Sequence, residues 1–371
     1  MSKISIFLPS LNGGGAERVM VTLANAIAAR GYTVDLVLAS AQGPYLKDVA
    51  PDVRIVDLKA GRVIKALLPL MHYLRKSQPV ALLSAMGHAN VVVLLANLLA
   101  AAPTKVFVSE RTSISKAHAR AKGWVAKINY LLVRLLYPKA SGICAVSQAA
   151  SNDLEQFIGL PHGLVKTLYN PFDLRVIRQQ VNSPVSHPWF EKQGNYPVIL
   201  AAGRLTEAKD YPTLLRAFAK LRKTRTARLL ILGEGELRKD LEAQIQSLGL
   251  ENDVQLPGFV DNPYAYMAHC RLFVLSSQWE GLPSVLIQAM ACGAPVVSTN
   301  CLSGPDEILA GGKWGRLVAV GDADALAAAM TEVLDSPCEQ LPDVRLRAQD
   351  FEKEKAVDAY LEFMGLPKRA S

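Results

Sequence analysis

Short runs of β-branched and other apolar residues alternate along the chain with longer segments whose apolar positions recur at helical spacing. In the first half, the short runs predict strands at 3–8, 33–38, 53–56, 80–84, 105–109 and 142–146, and the longer segments predict helices at 16–30, 62–76 and 122–137. In the second half, strands are predicted at 198–202, 228–232, 254–256, 272–275 and 295–298, with helices at 211–222, 236–248, 284–291 and 323–334. This alternation is typical of βα units around parallel sheets, so we predict an α/β protein.

The alternation is interrupted between residues 181 and 197, where three prolines and a glycine break any regular pattern. We interpret 181–197 as a linker between a first domain at 1–180 and a second domain at 198–346. A final helical pattern at 347–364 has no strand after it. Two doubly wound, Rossmann-like domains facing a cleft are the simplest arrangement, and ligands of such sheets bind at the carboxyl ends of the strands.

Length and cysteine usage agree with this class. The chain has 371 residues, and its five cysteines never form a CxxC pair, which favours packed thiols in a reducing compartment over disulfides or a zinc site. The first apolar stretch is too short for a signal-peptide core. The longest nearly apolar run, 91–103, is shorter than the roughly 20 residues that cross a bilayer. We therefore expect a cytoplasmic protein that is neither secreted nor transmembrane.

Charge is divided unevenly between the two halves. Residues 1–170 hold 19 Lys and Arg against 8 Asp and Glu, and no acid lies between Glu110 and Asp153. Within that stretch, 116–139 combines cations with aliphatic and aromatic residues at helical spacing, which predicts an interfacial helix at an anionic membrane surface. The alternative is an ordinary core-facing helix with solvated lysines.

A glycine-rich turn at 11–18, Leu-Asn-Gly-Gly-Gly-Ala-Glu-Arg, joins the first predicted strand to the first helix. Gly14 and Gly15 would let a ligand approach the backbone, and the helix N-terminus presents N–H groups to an anion. The spacing is not GxGxxG, so a dinucleotide fingerprint is not supported. A tight turn without a ligand is the alternative.

A second turn follows the first strand of the second half. It carries Gly203, Arg204 and Lys209, and a fork-shaped guanidinium beside a compact ammonium suits a diphosphate. Surface salt bridging is the alternative for these two cations.

A third loop precedes the predicted helix at 284–291. Glu280 lies before the helix, and Gln288 lies one turn into it, so an acid and an amide can face one ligand near the helix N-terminus. The alternative is that Ser284 is only an N-cap and Gln288 a solvated polar residue.

Taken together, these motifs resemble the retaining glycosyltransferases of family 4, which have the GT-B fold. The resemblance covers nearly the whole chain, and its parts lie at 13–18, 109–112, 145–147, 169–173, 203–210, 233–236, 256–260 and 279–295. It implies that the carboxyl-terminal helix, about 347–371, packs back on the first domain. It also implies a nucleotide diphosphate sugar as donor, without a cofactor or metal.

The resemblance assigns roles around the donor. Arg204 and Lys209 would hold the diphosphate and stabilise charge on the departing phosphate, and Glu280 would bind hydroxyls of the transferred sugar. Gln288 occupies the place of an acid that grips the ribose in the family, and an amide offers only one acceptor. The remaining donor-binding positions are backbone contacts at Gly14, Gly15, Gly203, Gly258, Phe259, Val260, Gly281, Leu282 and Ser284.

On the acceptor side the resemblance suggests a histidine after the fourth strand. His88 follows the predicted strand at 80–84 and is our candidate, although a lone loop histidine is often incidental. His118, in the basic stretch, is a weaker one. The chain shows no carboxylate pair for a double displacement. The resemblance instead implies retention by front-face attack, in which the leaving phosphate takes the acceptor proton.

One motif suggests a metal. Asp322 and Asp324 spell a DxD sequence, but they directly precede an alanine-rich helical pattern, so helix capping explains them.

These features and the resemblance predict transfer of a hexosyl unit from a nucleotide diphosphate sugar, expected to be UDP-linked, to a growing glycan on a lipid carrier. We expect the enzyme to be peripherally bound at the inner face of the membrane. Nucleic acid is not an expected partner. Two alternatives remain open: a nucleotide-sugar epimerase of the same fold, which needs no acceptor, and a non-catalytic glycosyltransferase-like subunit.

Overall fold

The computed structural model describes residues 3–12, 14–120, 123–191 and 196–368. The chain forms two compact units. The first runs to Pro171 and resumes at Lys353, and the second is Phe172–Glu352.

The strands and helices follow one another in the predicted alternation. The strands are β1 (Lys3–Leu8), β2 (Thr33–Leu38), β3 (Val53–Asp57), β4 (Ala81–Ala85), β5 (Lys105–Glu110), β6 (Gly142–Ala145), β7 (Lys166–Thr167), β8 (Val198–Ala202), β9 (Arg228–Leu232), β10 (Val254–Gly258), β11 (Leu272–Leu275), β12 (Val296–Thr299) and β13 (Arg316–Val318). The α-helices are α1 (Gly15–Ala29), α2 (Leu67–Ser77), α3 (Gly87–Ala100), α4 (Ile114–Arg120), α5 (Trp124–Leu136), α6 (Gln148–Ile158), α7 (Leu174–Gln180), α8 (Pro188–Glu191), α9 (Tyr211–Arg222), α10 (Arg238–Ser247), α11 (Pro263–His269), α12 (Ser284–Ala291), α13 (Pro305–Leu309), α14 (Ala323–Asp335), α15 (Val344–Ala348) and α16 (Lys353–Phe363).

The first unit is built on a parallel sheet in the order β3-β2-β1-β4-β5-β6-β7. The central strand β4 is buried along its whole length, as its unbroken apolar pattern requires. One face of the sheet packs on α1 and α16, and the other on α2, α3 and α5. The strand order reverses between β1 and β4, so the turn with Gly14 and Gly15 and the turn before His88 lie at this switch point.

The second unit has a parallel sheet in the order β10-β9-β8-β11-β12-β13. Its order reverses between β8 and β11. One face packs on α9, α10 and α14 around Leu214, Phe218 and Met330, all fully buried. The loops that follow β8 and β11 therefore leave from the same edge of the sheet at its switch point. The predicted α/β class and both parallel sheets are confirmed.

The division between the units differs from the predicted linker at 181–197. Helix α7, assigned above to the first domain, belongs to the second unit, because Leu174 and Ile177 are buried and α7 packs on α11 and α12. Within the predicted linker, Val185 and His187 are buried, and His187 Nε2 lies 2.9 Å from Gln255 Oε1. Residues 192–195 of that segment lie outside the described residues.

The predicted continuous helix at 347–364 is wrong. The chain forms α15, a short 3-10 turn at 349–351, an extended residue at Glu352, and only then α16. Arg347 belongs to the second unit and donates to the carbonyl oxygens of Glu307 and Ile308 at 2.7 and 2.9 Å. Helix α16 belongs to the first unit, where it packs on α1.

Other boundaries also move. The predicted helix at 62–76 begins as a 3-10 turn at 63–66, and α5 begins at Trp124. Helix α3 was not predicted; it contains most of the apolar run at 91–103, and it is buried on so many sides that no helical period shows. No helix in the described ranges is both long enough and apolar enough to span a membrane.

An almost fully buried guanidinium ties α16 to α1. Arg30 ends α1, its side chain is 4% exposed, and it donates to the carboxylates of Glu354 and Asp358 on α16. The distance from Arg30 Nη2 to Glu354 Oε2 is 2.8 Å. A buried charge is strongly destabilising when its partners are removed, so the stability of the fold depends on Glu354 and Asp358.

Replacing both acids by alanine is expected to lower the free energy of unfolding by about 3 kcal/mol, because Arg30 loses its counter-charges. Adding Arg30→Met should restore most of that loss, since the buried charge is then removed. Urea unfolding measures both effects. Glu362 also lies on α16, and Glu362→Ala, which removes its exposed pair with Lys368, is the control and should change little. A triple variant no more stable than the double variant would contradict this account.

Candidate functional site

An ion pair connects the two loops at the switch point of the second sheet. Lys209 Nζ lies 2.5 Å from Glu280 Oε1, and the two side chains are only 16% and 14% exposed. Ser277 Oγ donates to the same carboxylate oxygen at 2.7 Å. The second carboxylate oxygen of Glu280 makes no hydrogen bond among those found in the described residues, so it remains an acceptor for a ligand.

The backbone around Lys209 is shaped to hold this side chain in place. Residues 207–209 form a 3-10 turn, and Asp210 then adopts a left-handed conformation with φ of 46°. Asp210 also caps α9, because its carboxylate accepts from Thr213 N and Thr213 Oγ1 at 3.3 and 2.8 Å. The cap compensates a conformation that is unfavourable for a residue with a side chain.

Further hydrogen bonds tie the two loops together. Ser276 Oγ donates to the Lys209 carbonyl at 2.7 Å, and the backbone N–H of Gln278 donates to the Ala208 carbonyl at 2.8 Å. Thr299 Oγ1, from the end of β12, donates to the Ser277 carbonyl at 2.7 Å. These hydrogen bonds fix the backbone of both loops, so the Lys209–Glu280 pair is held in place before a ligand binds.

Glycines let three neighbouring loops stack at this edge. Gly203 has φ of 154°, and a Cβ there would lie 2.9 Å from Lys209 Cε and 3.0 Å from the Tyr211 hydroxyl. A Cβ on Gly233 would lie 2.2 Å from the Gly203 carbonyl oxygen, and Gly233 N donates to the Gly258 carbonyl at 2.8 Å. Gly258 itself has φ of 89°. Gly203 and Gly258 were predicted donor-side positions, whereas the packing role of Gly233 was not.

The other predicted donor-side residues of the second unit follow the carboxyl ends of β8, β10 and β11. Arg204 is exposed, and its guanidinium makes no hydrogen bond or ion pair within the part of the chain that the structure describes. Phe259 is 78% exposed beside half-buried Val260. Gly281 and Leu282 are buried in the loop after Glu280.

Helix α12 begins at this loop. Its N-cap residue is Pro283, which supplies no side-chain acceptor, so Ser284 is the first helical residue and not the cap. Gln288 Nε2 donates to the Tyr264 hydroxyl at 3.4 Å. That bond uses the amide nitrogen, which leaves the amide oxygen as the acceptor that this side chain can offer.

In the first unit, the glycine-rich turn is described from Gly14 onward, and Gly13 lies outside the described residues. Gly14 is the N-cap of α1, and a Cβ there would lie 2.1 Å from Glu17 Oε2, so the Glu17 carboxylate bends back over the helix N-terminus. Gly15 begins α1 and faces open space. The steric need for glycine is thus local to Gly14.

His88 lies in the first turn of α3, not in a loop as predicted. The reason is that Met86, with φ of 83°, turns the chain directly from β4 into the helix. The ring keeps contact with solvent, yet desolvation by the surrounding chain lowers the pKa of His88 below its ordinary value. A lowered pKa favours the neutral ring at neutral pH. His118 instead packs edge-on against Tyr130, with ring centroids 4.7 Å apart.

A buried acid close to α3 was missed by sequence reasoning. Glu110 ends β5, accepts from the Tyr137 hydroxyl, and lies 3.4 Å from Asn90 Nδ2. Burial raises the pKa of the Glu110 carboxyl to about 7. A Cβ on Gly87 would lie 3.2 Å from Glu110 Oε1, so this acid supports the turn before His88. Its sequence signals were an acid at a strand end, at the border of the acid-free stretch, and its place in the 109–112 motif, to which no role was assigned.

The DxD sequence serves as a helix cap. Asp322 accepts from the amides of Asp324 and Ala325 at 3.0 and 2.9 Å, and Asp324 pairs with Lys220. This interpretation is confirmed. Across the described ranges, no group of three His, Cys, Asp or Glu side chains could hold a metal ion.

Known proteins are similar in sequence to nearly the whole chain. The model described as Glycosyltransferase Family 4 matches residues 13–176, and that described as Glycosyl transferases group 1 matches 185–351. The N-acetylgalactosamine-N,N'-diacetylbacillosaminyl-diphospho-undecaprenol 4-alpha-N-acetylgalactosaminyltransferase of Campylobacter jejuni is 30% identical over 98% of this chain and 100% of its own. The lipopolysaccharide core biosynthesis glycosyltransferase LpsE of Rhizobium meliloti is 25% identical over 95% of this chain and 96% of its own.

The fold matches solved structures as well. The crystal structure of Anabaena HepE in complex with UDP and glucose superimposes with a TM-score of 0.80 at 21% identity, covering 98% of this chain and 100% of that one. The sucrose-phosphate synthase of Thermosynechococcus elongatus gives a TM-score of 0.79 at 19% identity, covering 98% of each chain. With two parallel-sheet units, matches to both family models and a relative of this similarity over its full length, the chain belongs to the family 4 glycosyltransferases, which have the GT-B fold.

Proposed function

We propose that this protein transfers a hexosyl unit from a nucleotide diphosphate sugar, UDP-linked, to a growing glycan on a lipid carrier, with retention of configuration and without a metal. The observation that carries the proposal is the Lys209–Glu280 pair at the switch point of the second sheet, with the exposed Arg204 guanidinium on the same loop. Two cations and one acid on neighbouring strand ends fit a substrate that joins an anionic diphosphate to a neutral sugar.

Each group has a distinct task in this proposal. The Lys209 ammonium and the Arg204 guanidinium bind the diphosphate and stabilise the negative charge that grows on it as the sugar leaves. The free oxygen of Glu280 accepts from hydroxyls of the transferred sugar. The α12 N-terminus, reached through Gly281, Leu282 and Ser284, adds its backbone N–H groups and dipole to the phosphate site.

The nucleoside is held by the neighbouring loop and helix. The main chain of Gly258, Phe259 and Val260 contacts the base, and the amide oxygen of Gln288 accepts from one ribose hydroxyl. Tyr264 supports this role, because its hydroxyl accepts from the Gln288 nitrogen and thereby orients the amide.

On the acceptor side, the neutral ring of His88 binds near the transferred sugar, with Gly14 and Gly15 leaving room for it. Its lowered pKa favours the neutral ring, which can exchange hydrogen bonds with sugar hydroxyls. Attack occurs on the face from which the diphosphate leaves, and a phosphate oxygen takes the proton of the acceptor hydroxyl. The name of the Campylobacter jejuni relative, which contains diphospho-undecaprenol, supports a lipid-linked acceptor. The UDP and glucose bound to HepE support a UDP-linked donor.

Lys209→Ala and Arg204→Ala are each expected to lower kcat about a hundredfold or more, because loss of one preorganised charge at a developing anion costs ~3 kcal/mol. Transfer of labelled sugar to a diphospho-undecaprenol glycan measures the rate. Lys220→Ala, which removes an exposed cation of the same unit, is the matched control. Activity within threefold of wild type in both site variants would overturn the diphosphate assignment.

A chelator is expected to leave the wild-type rate nearly unchanged, since Lys209 and Arg204 supply the positive charge. The same transfer assay with excess EDTA, and with magnesium added back, measures this. Strong loss with EDTA that magnesium restores would contradict metal independence.

The lipid-linked acceptor also brings the first unit to a membrane, and α5 is the element suited to contact it. One face of α5 leaves Trp124, Ile128, Leu131 and Leu135 between 46% and 74% exposed. The opposite face supplies buried Val133 to the core, so the core accounts for only one of the two apolar faces. We place the enzyme peripherally at the inner, anionic face of the membrane through α5 and its flanking cations.

The protein is expected to sediment with anionic but not with neutral liposomes, and the bound fraction should fall between low and high salt, because charge attraction is screened. Changing Lys116, Arg120 and Lys127 to glutamine should weaken sedimentation and leave turnover of a soluble acceptor analogue intact.

The matched control for this liposome experiment changes Lys223, Lys239 and Lys313, three exposed lysines of the second unit. Lys122, a fourth cation of this stretch, lies outside the described residues. Equal binding to both kinds of vesicle, or binding to neither, would contradict the membrane proposal and leave the transferase proposal standing.

A further inference from the structure

A buried tyrosine next to the Lys209–Glu280 pair has no partner for its hydroxyl. Tyr211 is the first residue of α9 and is 3% exposed, and its hydroxyl makes no hydrogen bond among the residues that the structure describes. Buried hydroxyls are nearly always paired, and one left unpaired at a site calls for an explanation.

The environment of this hydroxyl is polar and belongs to the site. A Cβ at Gly203 would lie 3.0 Å from the Tyr211 hydroxyl oxygen and 2.9 Å from Lys209 Cε. Because Gly203 has no Cβ, its main chain lies close to both the phenol and the lysine stem. Burial, with a smaller contribution from the Glu280 carboxylate, raises the pKa of Tyr211 above its ordinary value, so the phenol stays protonated and is a donor.

A second buried tyrosine of the same chain, in contrast, has hydrogen-bond partners for its hydroxyl within the fold. Tyr73, on α2 of the first unit, donates to Asp35 Oδ2 at 2.6 Å and lies 2.7 Å from Ser5 Oγ. The Tyr73 hydroxyl is satisfied within the fold. The Tyr211 hydroxyl is not, and phenylalanine would fill the same space without burying an unpaired polar group.

We propose that Tyr211 is a donor-binding residue: its hydroxyl donates a hydrogen bond to a phosphate oxygen of the nucleotide diphosphate that binds at Lys209, and it fixes that phosphate against the Lys209 ammonium. This inference rests on the proposed function, since it needs a diphosphate at the Lys209–Glu280 pair. It extends that function by adding a neutral donor, drawn from the first residue of α9, to the two cations.

The Tyr211 hydroxyl is expected to lower the stability of the free protein and to strengthen binding of the diphosphate. In the free protein the unpaired hydroxyl destabilises the fold relative to phenylalanine, and in the complex it makes a hydrogen bond to a charged acceptor, which is among the stronger kinds. Tyr211→Phe should thus leave the melting temperature equal to or above that of wild type and weaken UDP binding roughly tenfold or more. Binding of uridine, which has no phosphate, should be unchanged.

Calorimetric titration of wild type, Tyr211→Phe and Tyr73→Phe with UDP and with uridine, together with thermal melts, tests this. Tyr73→Phe is the matched control: it should melt at a lower temperature and bind UDP as wild type does. Unchanged UDP affinity in Tyr211→Phe, or equal weakening for UDP and uridine, would overturn the role of Tyr211 and leave the proposed function in place. A lower melting temperature for Tyr211→Phe would also overturn it, because the hydroxyl would then have a structural partner. If wild type itself binds no UDP while its melt shows it folded, the inference and the UDP-linked donor fail together.

Discussion

The second unit is organised around one ion pair that is mostly removed from water. Lys209 and Glu280 come from loops on neighbouring strands, 71 positions apart in the sequence, and meet at 2.5 Å where the strand order reverses. Burying two charges costs solvation free energy that close contact alone does not always offset. Here the Ser277 hydroxyl adds a hydrogen bond to Glu280. The Ser276 hydroxyl and the Gln278 backbone N–H donate to carbonyl oxygens of the Lys209 loop, which fixes both loops. A pair held in this way keeps a cation and an acid ready for a ligand that needs both.

The geometry around the pair depends on three glycines, because a side chain at any of them would collide with a neighbouring loop. Gly203, Gly233 and Gly258 end or follow three adjacent strands, and each takes a positive φ at a position where a side chain would strike a neighbouring loop. The loops can therefore stack closely enough to hold Lys209 beside the sheet edge. The same closeness buries Tyr211, so the unpaired hydroxyl is a consequence of the packing that builds the site.

Much of the fold follows from the sequence because buried parallel strands have a simple pattern. The apolar runs at 3–8, 198–202 and 228–232 predict strand bounds that the structure reproduces. Helix α3 shows the limit of the method, since a helix buried on most sides carries no period. The carboxyl-terminal pattern shows another limit, because α15 and α16 bury their apolar faces in different units and the spacing continues across the break at Glu352. The candidate site was accessible to prediction where motifs mark it, at Arg204, Lys209 and Glu280. Long-range contacts such as Glu110 with Tyr137, or Tyr73 with Asp35, depend on packing that no local pattern encodes.

The central claim is that this pair and its neighbours bind a nucleotide diphosphate sugar, and the most direct measurement is a thermal-shift titration of the purified protein with UDP-, GDP- and ADP-sugars. A ligand that binds only the folded state raises its stability by RT ln(1 + [L]/Kd). We expect a UDP-sugar to raise the melting temperature of wild type in a concentration-dependent manner, and we expect this rise to be lost in Lys209→Ala. No rise with any of the three donors, or the same rise in Lys209→Ala as in wild type, would contradict it.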